Sequence, residues 1–425
     1  MSFKKFSFTK QIMKNIELLG YQQPTTIQDQ AIGPILKGRD VLGLAHTGTG
    51  KTAAFMLPII ERLATKNRNG VPKALILSPT RELAEQTGNC AKSLTRQLSI
   101  NTTIVYGGAK RHLQVSKLQR GSDIVVACPG RLLDLLNTRE IDLSEIELLV
   151  LDEADQMLDQ GFLPDVKRIL KKLPETTQNL VFSATMPHDV KDLCSGLLNN
   201  PVQISLNHSQ PLDTISHTLL NVERMAKNEV LKSLLNQDEM ESVIIFTRTK
   251  HKARSLAHKL SKSGFKATSL QGNMSQNQRD FALNGFRRGH FKILVATDIA
   301  ARGIDIATIS HVVNFDMPGS LEAYTHRTGR TGRANQCGQA ITLVTDDDSK
   351  MVEMLNQKLA SKLSHESPPQ YTVGNHERLT ALPAESEEGK QRSMTTKHNA
   401  PKLSRKKRGK RSSQRNRAVA FDFGI

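Results

Sequence analysis

The chain is expected to form an α/β protein of two tandem parallel-sheet domains wrapped by helices, followed by a disordered basic tail. Three observations carry this expectation. Short apolar runs of strand length alternate with helical patterns over most of the sequence, which is the signature of βα units feeding a parallel sheet. At 425 residues the chain is too long for one ordinary core and suits two domains plus an appendage. Charge is segregated: 59 Lys and Arg against 41 Asp and Glu leave +18, and residues 390–425, with twelve bases and one acid, supply +11 of it.

The first domain is placed at residues 1–206, with strands at Val41 to Ala45, Ala74 to Leu77, Ile124 to Ala127, Leu148 to Leu151 and Leu180 to Phe182. A linker is placed at 207–216, where Asn207-His208-Ser209-Gln210-Pro211 offers neither apolar period nor core residues. The second domain spans 217–364, with strands at Val243 to Phe246, Ile293 to Ala296, His311 to Phe315 and Ala340 to Val344. From 365 to 425 periodicity is lost. The block Lys402 to Arg411 reads as a polyanion-binding arm, and solubility alone is the competing use of such a run.

Chemistry concentrates at two places in the first domain. The strand ending in Leu151 delivers Asp152 and Glu153 to its tip, an arrangement that suits magnesium-assisted phosphoryl chemistry: one acid for the metal, its neighbour for the attacking water. Taken alone, acids between a strand and a helix are a common structural arrangement. The partner upstream changes the weight. Ala45, His46, Thr47, Gly48, Thr49, Gly50, Lys51 and Thr52 join a strand to the helical stretch Ala53 to Leu63, the context a phosphate cradle requires. Lys51 would reach the β- and γ-phosphates, Thr52 would ligate magnesium with Asp152, and Gly48 and Gly50 would admit the backbone. Ala45 replaces the first glycine of the general pattern. The second domain has no such loop.

Other classes of function are disfavoured. Cys90, Cys128, Cys194 and Cys337 are scattered, with no pair spaced for zinc or a redox dithiol. Neither a signal region nor an apolar run of roughly 18 residues is evident, so a soluble cytoplasmic protein without membrane contact is expected.

In order and content, these blocks resemble the DEAD-box RNA helicase family over about residues 3–360, since Asp152-Glu153-Ala154-Asp155 spells its name. The resemblance implies two RecA-like domains, ATP and Mg2+ as cofactors, and RNA as partner. Gly20 to Gln28 resembles the family's Q motif, which implies adenine contacts from Tyr21 and Gln28, with Phe3 as the upstream aromatic and Phe6 and Phe8 as its competitors. A Gln amide can both donate to and accept from adenine's N6 and N7 edge. Pro79-Thr80-Arg81-Glu82-Leu83-Ala84, Gly107-Gly108 and Pro129-Gly130-Arg131 match RNA-backbone segments, although Cys128 stands where threonine is usual. Ser183 and Thr185 match the link between hydrolysis and strand separation.

In the second domain the resemblance assigns Gly272, Gln276, Arg279, Thr297 and Gly303 to RNA and Asp305 to the ATP ribose; Gln271-Gly272-Asn273 departs from the commoner His-Gly-Asp. His326 to Arg333 places three arginines at a three-residue interval among glycines, a poor pattern for a solvated helix face. By resemblance Arg330 and Arg333 are arginine fingers, worth about 10³ to 10⁵ in rate in related phosphoryl-transfer enzymes, and His326 couples the ATP and RNA sites. ATP hydrolysis stimulated by RNA, with local, non-processive duplex unwinding and remodelling of ribonucleoprotein or ribosomal particles, is the implied activity. An ATP-gated clamp that closes without separating strands would use the same residues. The run Phe246 to His251 and the basic tail resemble the bacterial RhlE subgroup.

Overall fold

The computed structural model describes residues 2–46, 48–65, 69–206, 215–301, 309–332, 337–359, 362–367 and 369. Thr47, Gly303, Asp305, Arg333 and the basic tail lie outside the described residues, as does most of the expected linker. All that is described belongs to one compact unit, Met1–Val373.

Two seven-stranded sheets form its frame. The first contains β1 (Val41–Leu44), β2 (Ala74–Leu77), β3 (Thr102–Val105), β4 (Ile124–Ala127), β5 (Leu148–Asp152), β6 (Gln178–Ser183) and β7 (Val202–Ser205). The second contains β8 (Ile215–Asn221), β9 (Val243–Phe246), β10 (Ala267–Leu270), β11 (Ile293–Ala296), β12 (His311–Asn314), β13 (Gly338–Val344) and β14 (Leu363–Glu366). Their orders are β3-β4-β2-β5-β6-β1-β7 and β10-β11-β9-β12-β13-β8-β14, so each strand of the second sheet holds the position of the strand seven earlier. The described pairings are parallel. A parallel sheet covered on both faces needs strands that are apolar throughout, and β2, β4, β5, β9, β11 and β12 are buried along their whole length.

The expected strands all form, with ends shifted by a residue or two. Five further strands were not expected: β3, β7, β8, β10 and β14. Four of these are the edges of the two sheets, where one side has no neighbour and the sequence carries polar residues, as in Val-Gln-Ile-Ser of β7 and Leu-Ser-His-Glu of β14. Two boundaries are corrected accordingly. β8 begins at Ile215, inside the segment placed as linker, and β14 runs through His365 and Glu366, past the point where the tail was placed.

The helix Lys51–Ala64 after β1 is buried over most of its length. Its Phe55 meets Phe182 of β6 with ring centroids 5.4 Å apart, and burial of a phenyl ring contributes about 1.5–3 kcal/mol. Gly43 in β1 makes room for this ring, because a Cβ there would lie 2.6 Å from Phe182 Cδ1. β1 and the helix after it are thus keyed to the neighbouring strand β6. Several motif residues start helices as well: Thr80 Oγ1 accepts from Leu83 N at 3.2 Å and Thr249 Oγ1 from Lys252 N at 3.2 Å, so each also serves as an N-cap.

Candidate functional site

The ends of β1, β5 and β6 bring the first set of motifs together, at the carboxyl edge where open parallel sheets place their ligands. Gly48 and Gly50 have φ of 85° and 92°, conformations that disfavour any side chain, and they turn the loop between β1 and its helix. Lys51 is buried and donates from Nζ to Ala45 O at 2.9 Å, while Thr49 Oγ1 donates to His46 O at 2.8 Å. Gln28 braces the loop from outside. Its Oε1 accepts from Thr25 N at 3.0 Å and its Nε2 donates to Gly50 O at 3.1 Å.

Asp152 ends β5 with 2% exposure, and among the described residues its Oδ1 makes no hydrogen bond. Burial raises its pKa to about 7, Lys51 opposes the rise, and Glu153 adds to it. A desolvated carboxylate with an unbonded oxygen fits a divalent cation, which would supply the charge that water cannot. Glu153 follows with φ 53° and ψ 54°, a left-handed conformation that a non-glycine residue adopts only under local constraint, and its side chain is buried beside Asp152 in sequence.

Asp155 joins the remaining catalytic candidates, although it was not among the site residues expected from sequence. Its Oδ2 accepts from Thr185 N at 2.9 Å and from Thr185 Oγ1 at 2.8 Å. Its backbone N–H donates to Ser183 Oγ at 3.2 Å, and that hydroxyl donates to Thr185 O at 2.7 Å. His326, from the second sheet's helix Leu321–Thr328, brings Nε2 to 3.9 Å from the same Oδ2. Thus Thr185 and His326 meet at one buried carboxylate, and Ser183 accepts from the backbone N–H of the same residue. The signal was available as the fourth residue of the acidic run.

The two described arginines near His326, Arg327 and Arg330, separate in what they hold. Arg327 is 2% exposed and forms a fork with Asp298, Nε to Oδ1 at 2.5 Å and Nη2 to Oδ2 at 2.8 Å, while Nη1 donates to Asp316 O at 2.7 Å. Its guanidinium also covers the Phe246 ring at 5.2 Å, so this residue anchors the segment to β9 and β12. Arg330, 4% exposed, donates from Nε to His326 O at 3.2 Å and lines a small cleft with His326 and Asp298.

The aromatic residues upstream of the Gly20 to Gln28 segment belong to the first core. Phe3 is 2% exposed within the first core and stacks on Tyr21, centroids 6.5 Å apart at 26°, so it backs Tyr21 instead of offering a face of its own. Phe8 is buried as well, and Phe6 packs partly buried against the same core.

The RNA candidates of the two sheets meet each other. Arg81 Nη1 donates to Gln276 Oε1 at 3.1 Å, and Arg279 donates to Glu82 Oε1 from Nε at 2.8 Å and Nη2 at 2.5 Å. Arg279 is therefore held by Glu82, a member of the Pro79 to Ala84 segment that was not itself assigned a contact. Gly108, at φ 85°, lets Arg81 lie against its backbone, since a Cβ there would clash with the guanidinium. Gly107 adjoins the same group. Pro129 and Gly130 open the helix Pro129–Asn137, from which Arg131 reaches Ala109 O at 3.5 Å; Cys128 is its N-cap, with a thiol that burial pushes up to about 12. Pro79 and Thr80 lead from β2 into the helix Arg81–Leu94. Thr297 follows β11 and accepts from Ala301 N at 2.9 Å. No steric demand explains glycine at 272, where an added Cβ would meet open space.

The DEAD/DEAH box helicase model matches residues 25–193 and the helicase conserved C-terminal domain matches 226–335. RNA helicase CrhR of Synechocystis is 42% identical over 347 residues, 81% of this chain and 70% of that protein. DEAD-box ATP-dependent RNA helicase CshA of Bacillus subtilis is 37% identical over 370 residues, 87% of this chain and 74% of that protein. The chain spans 60% of the length of Arabidopsis DEAD-box ATP-dependent RNA helicase 14, at 41% identity over 87% of its own. Among solved structures, S. cerevisiae Dbp5 bound to RNA and ADP BeF3 superposes with a TM-score of 0.76 at 30% identity, covering 86% of this chain and 96% of that one. With both helicase models matched in order along the chain, and relatives at 42% and 37% identity over 81% and 87% of it, the chain belongs to the DEAD-box family of ATP-dependent RNA helicases.

Proposed function

We propose that ATP hydrolysis at the Lys51, Asp152 and Glu153 site drives local, non-processive separation of short RNA duplexes and remodelling of ribonucleoprotein particles in the cytoplasm. The observation that carries this reading is the meeting of Thr185, Ser183 and His326 at Asp155, which links the hydrolytic edge of the first sheet to the arginine segment of the second. Gln28 and Tyr21 hold the adenine, Lys51 the phosphates, and Glu153 orients the attacking water. Thr52 and Asp152 hold magnesium, which when bound neutralises phosphate charge. Arg330, with Arg333, acts as the finger on the γ-phosphate.

RNA lies along Arg81, Gly108, Arg131, Gln276 and Thr297 and reads as backbone, because the chain has no Trp and only 4% aromatic residues for base stacking. RNA favours the arrangement in which the two sheets' motifs meet, so hydrolysis rises with RNA by population shift. Among the described residues no helix is long and apolar enough to cross a membrane, consistent with a cytoplasmic site of action. The Phe246 to His251 run and the basic tail support placement in the RhlE subgroup.

Strand displacement on a short RNA duplex tests the reading. Release of the strand with ATP, and little release from the matching DNA duplex, is expected. RNA-stimulated hydrolysis with stable binding and no release would replace unwinding by a clamp.

A further inference from the structure

The duplicated strand order puts β8 where β1 stands and β12 where β5 stands. The correspondence reaches side chains. The helix Lys227–Leu235 after β8 starts on a lysine, as the helix Lys51–Ala64 does after β1, and Asp316 lies just past β12 much as Asp152 ends β5. Both lysines are buried and fold back on strand-end carbonyls: Lys51 on Ala45 O, Lys227 on Phe315 O at 3.0 Å and Leu343 O at 2.8 Å. One part is missing from the second sheet. Residues 222–226 contain no glycine, and Ala226 is right-handed at φ −82° where Gly50 has φ 92°, so the connection cannot wrap phosphates with its amides.

At this position the protein has a cavity of about 400 Å³. Five cations line it: Arg224, Lys227, Arg248, Lys252 and Lys259. Three carboxylates line it too, each with a partner of its own. Asp316 accepts from Lys252 Nζ at 2.6 Å and from Arg248 N at 2.9 Å, Asp347 lies 3.5 Å from Arg224, and Asp348 accepts from Thr345 N at 2.9 Å and Thr345 Oγ1 at 2.7 Å. Five positive groups against three negative ones leave the wall cationic. Burial lowers the pKa of Lys227, a strain on the ammonium that an arriving anion would relieve.

We propose that this cavity binds a phosphate-bearing ligand, held by lysine and arginine side chains in place of a backbone cradle. The site is a second phosphate site in the frame of the first, stripped of the glycines that would let it hold a nucleotide's phosphates by backbone amides. Charge-assisted hydrogen bonds from Lys and Arg suffice for a compact phosphate group. A small phosphorylated compound and an RNA phosphodiester present the same chemistry, and experiment separates them.

Inorganic pyrophosphate is the probe, titrated by calorimetry into the full chain carrying Lys51→Ala, which disables the first phosphate site and makes the outcome independent of the helicase reading. Saturable binding is expected, weakened about tenfold by Lys259→Glu, the equivalent of one charge-assisted hydrogen bond. Lys227→Met, which keeps the buried stem and removes the charge, is expected to do the same. Displacement of pyrophosphate by a short single-stranded RNA assigns the cavity to RNA phosphates; failure of RNA to displace it assigns a small phosphate compound. Absence of saturable binding, or equal affinity in all three chains with unchanged circular dichroism, overturns the proposal.

Discussion

Arg279 places two guanidinium nitrogens on a single carboxylate oxygen of Glu82, 197 residues away, and both side chains are largely withdrawn from solvent, at 13% and 8% exposure. The contact ties the helix Gln276–Arg287 of the second sheet to the helix Arg81–Leu94 of the first. Removing one partner of a buried pair costs about 3–5 kcal/mol because the other charge is left uncompensated. Arg279→Ala is therefore expected to raise the RNA concentration needed for half-maximal ATPase stimulation, with ATP binding retained. A double-mutant cycle with Glu82→Ala checks it: independent, additive effects would remove the pair from closure.

Glu153 is poised beside Asp152 in a constrained backbone conformation. Glu153→Gln keeps the shape and removes the base, so ATP and RNA binding should persist while turnover falls by at least about 10²-fold. Single-turnover hydrolysis with saturating RNA measures this. Undiminished turnover would take Glu153 out of the reaction.

Arg330 and Arg327 differ in what they hold, and their substitutions should differ in kind. Arg330→Ala is expected to lower RNA-stimulated turnover by about 10³-fold or more with ATP affinity little changed. Arg327→Ala, which strips Asp298 and the Asp316 carbonyl of their donor, should instead lower thermal stability. Loss of stability in both variants alike would show that Arg330 is also an anchor.

Gly108 allows Arg81 to lie across its backbone at a φ of 85°. Gly108→Ala should displace the guanidinium and weaken RNA binding, and RNA-free ATP affinity should be untouched. Fluorescence anisotropy with a labelled oligonucleotide measures the first, nucleotide titration the second. Unchanged RNA affinity would leave Arg81 without a backbone contact to make.

The last 36 residues carry twelve bases and one acid. Deleting 390–425 should weaken RNA binding and flatten its salt dependence, by about 0.7 in the log–log slope for each single-strand phosphate that the tail neutralises. A slope that stays the same would make the tail a solubility element.

Most inner strands were legible because strands buried on both faces must be apolar along their length, as Ile124 to Ala127 and Val243 to Phe246 are, whereas inner β8, with exposed Ser216 and Asn221, was not. Edge strands escape that rule. Val202–Ser205 and Ala267–Leu270 have polar residues that could belong to a loop, and only their hydrogen-bonded neighbours make them strands. The positions of Lys51, Asp152 and Glu153 were legible for a different reason: their motifs directly follow apolar strands, and the structure sets Lys51 at the start of the helix after β1 and the two acids at the end of β5.

By itself the sequence determined the two parallel sheets and the placing of the loop before Lys51 and of the Asp152-Glu153 pair at strand ends, since each depends on residues close together in the chain. Tertiary structure decided the pairings. Asp155 as the meeting point of Thr185 and His326, Glu82 as the partner of Arg279, and Arg327 rather than Arg330 as the anchor on Asp298 all depend on which strand ends packing brings together. Two arginines three residues apart are the same chemical group, and only the packed surroundings of each give it a different partner.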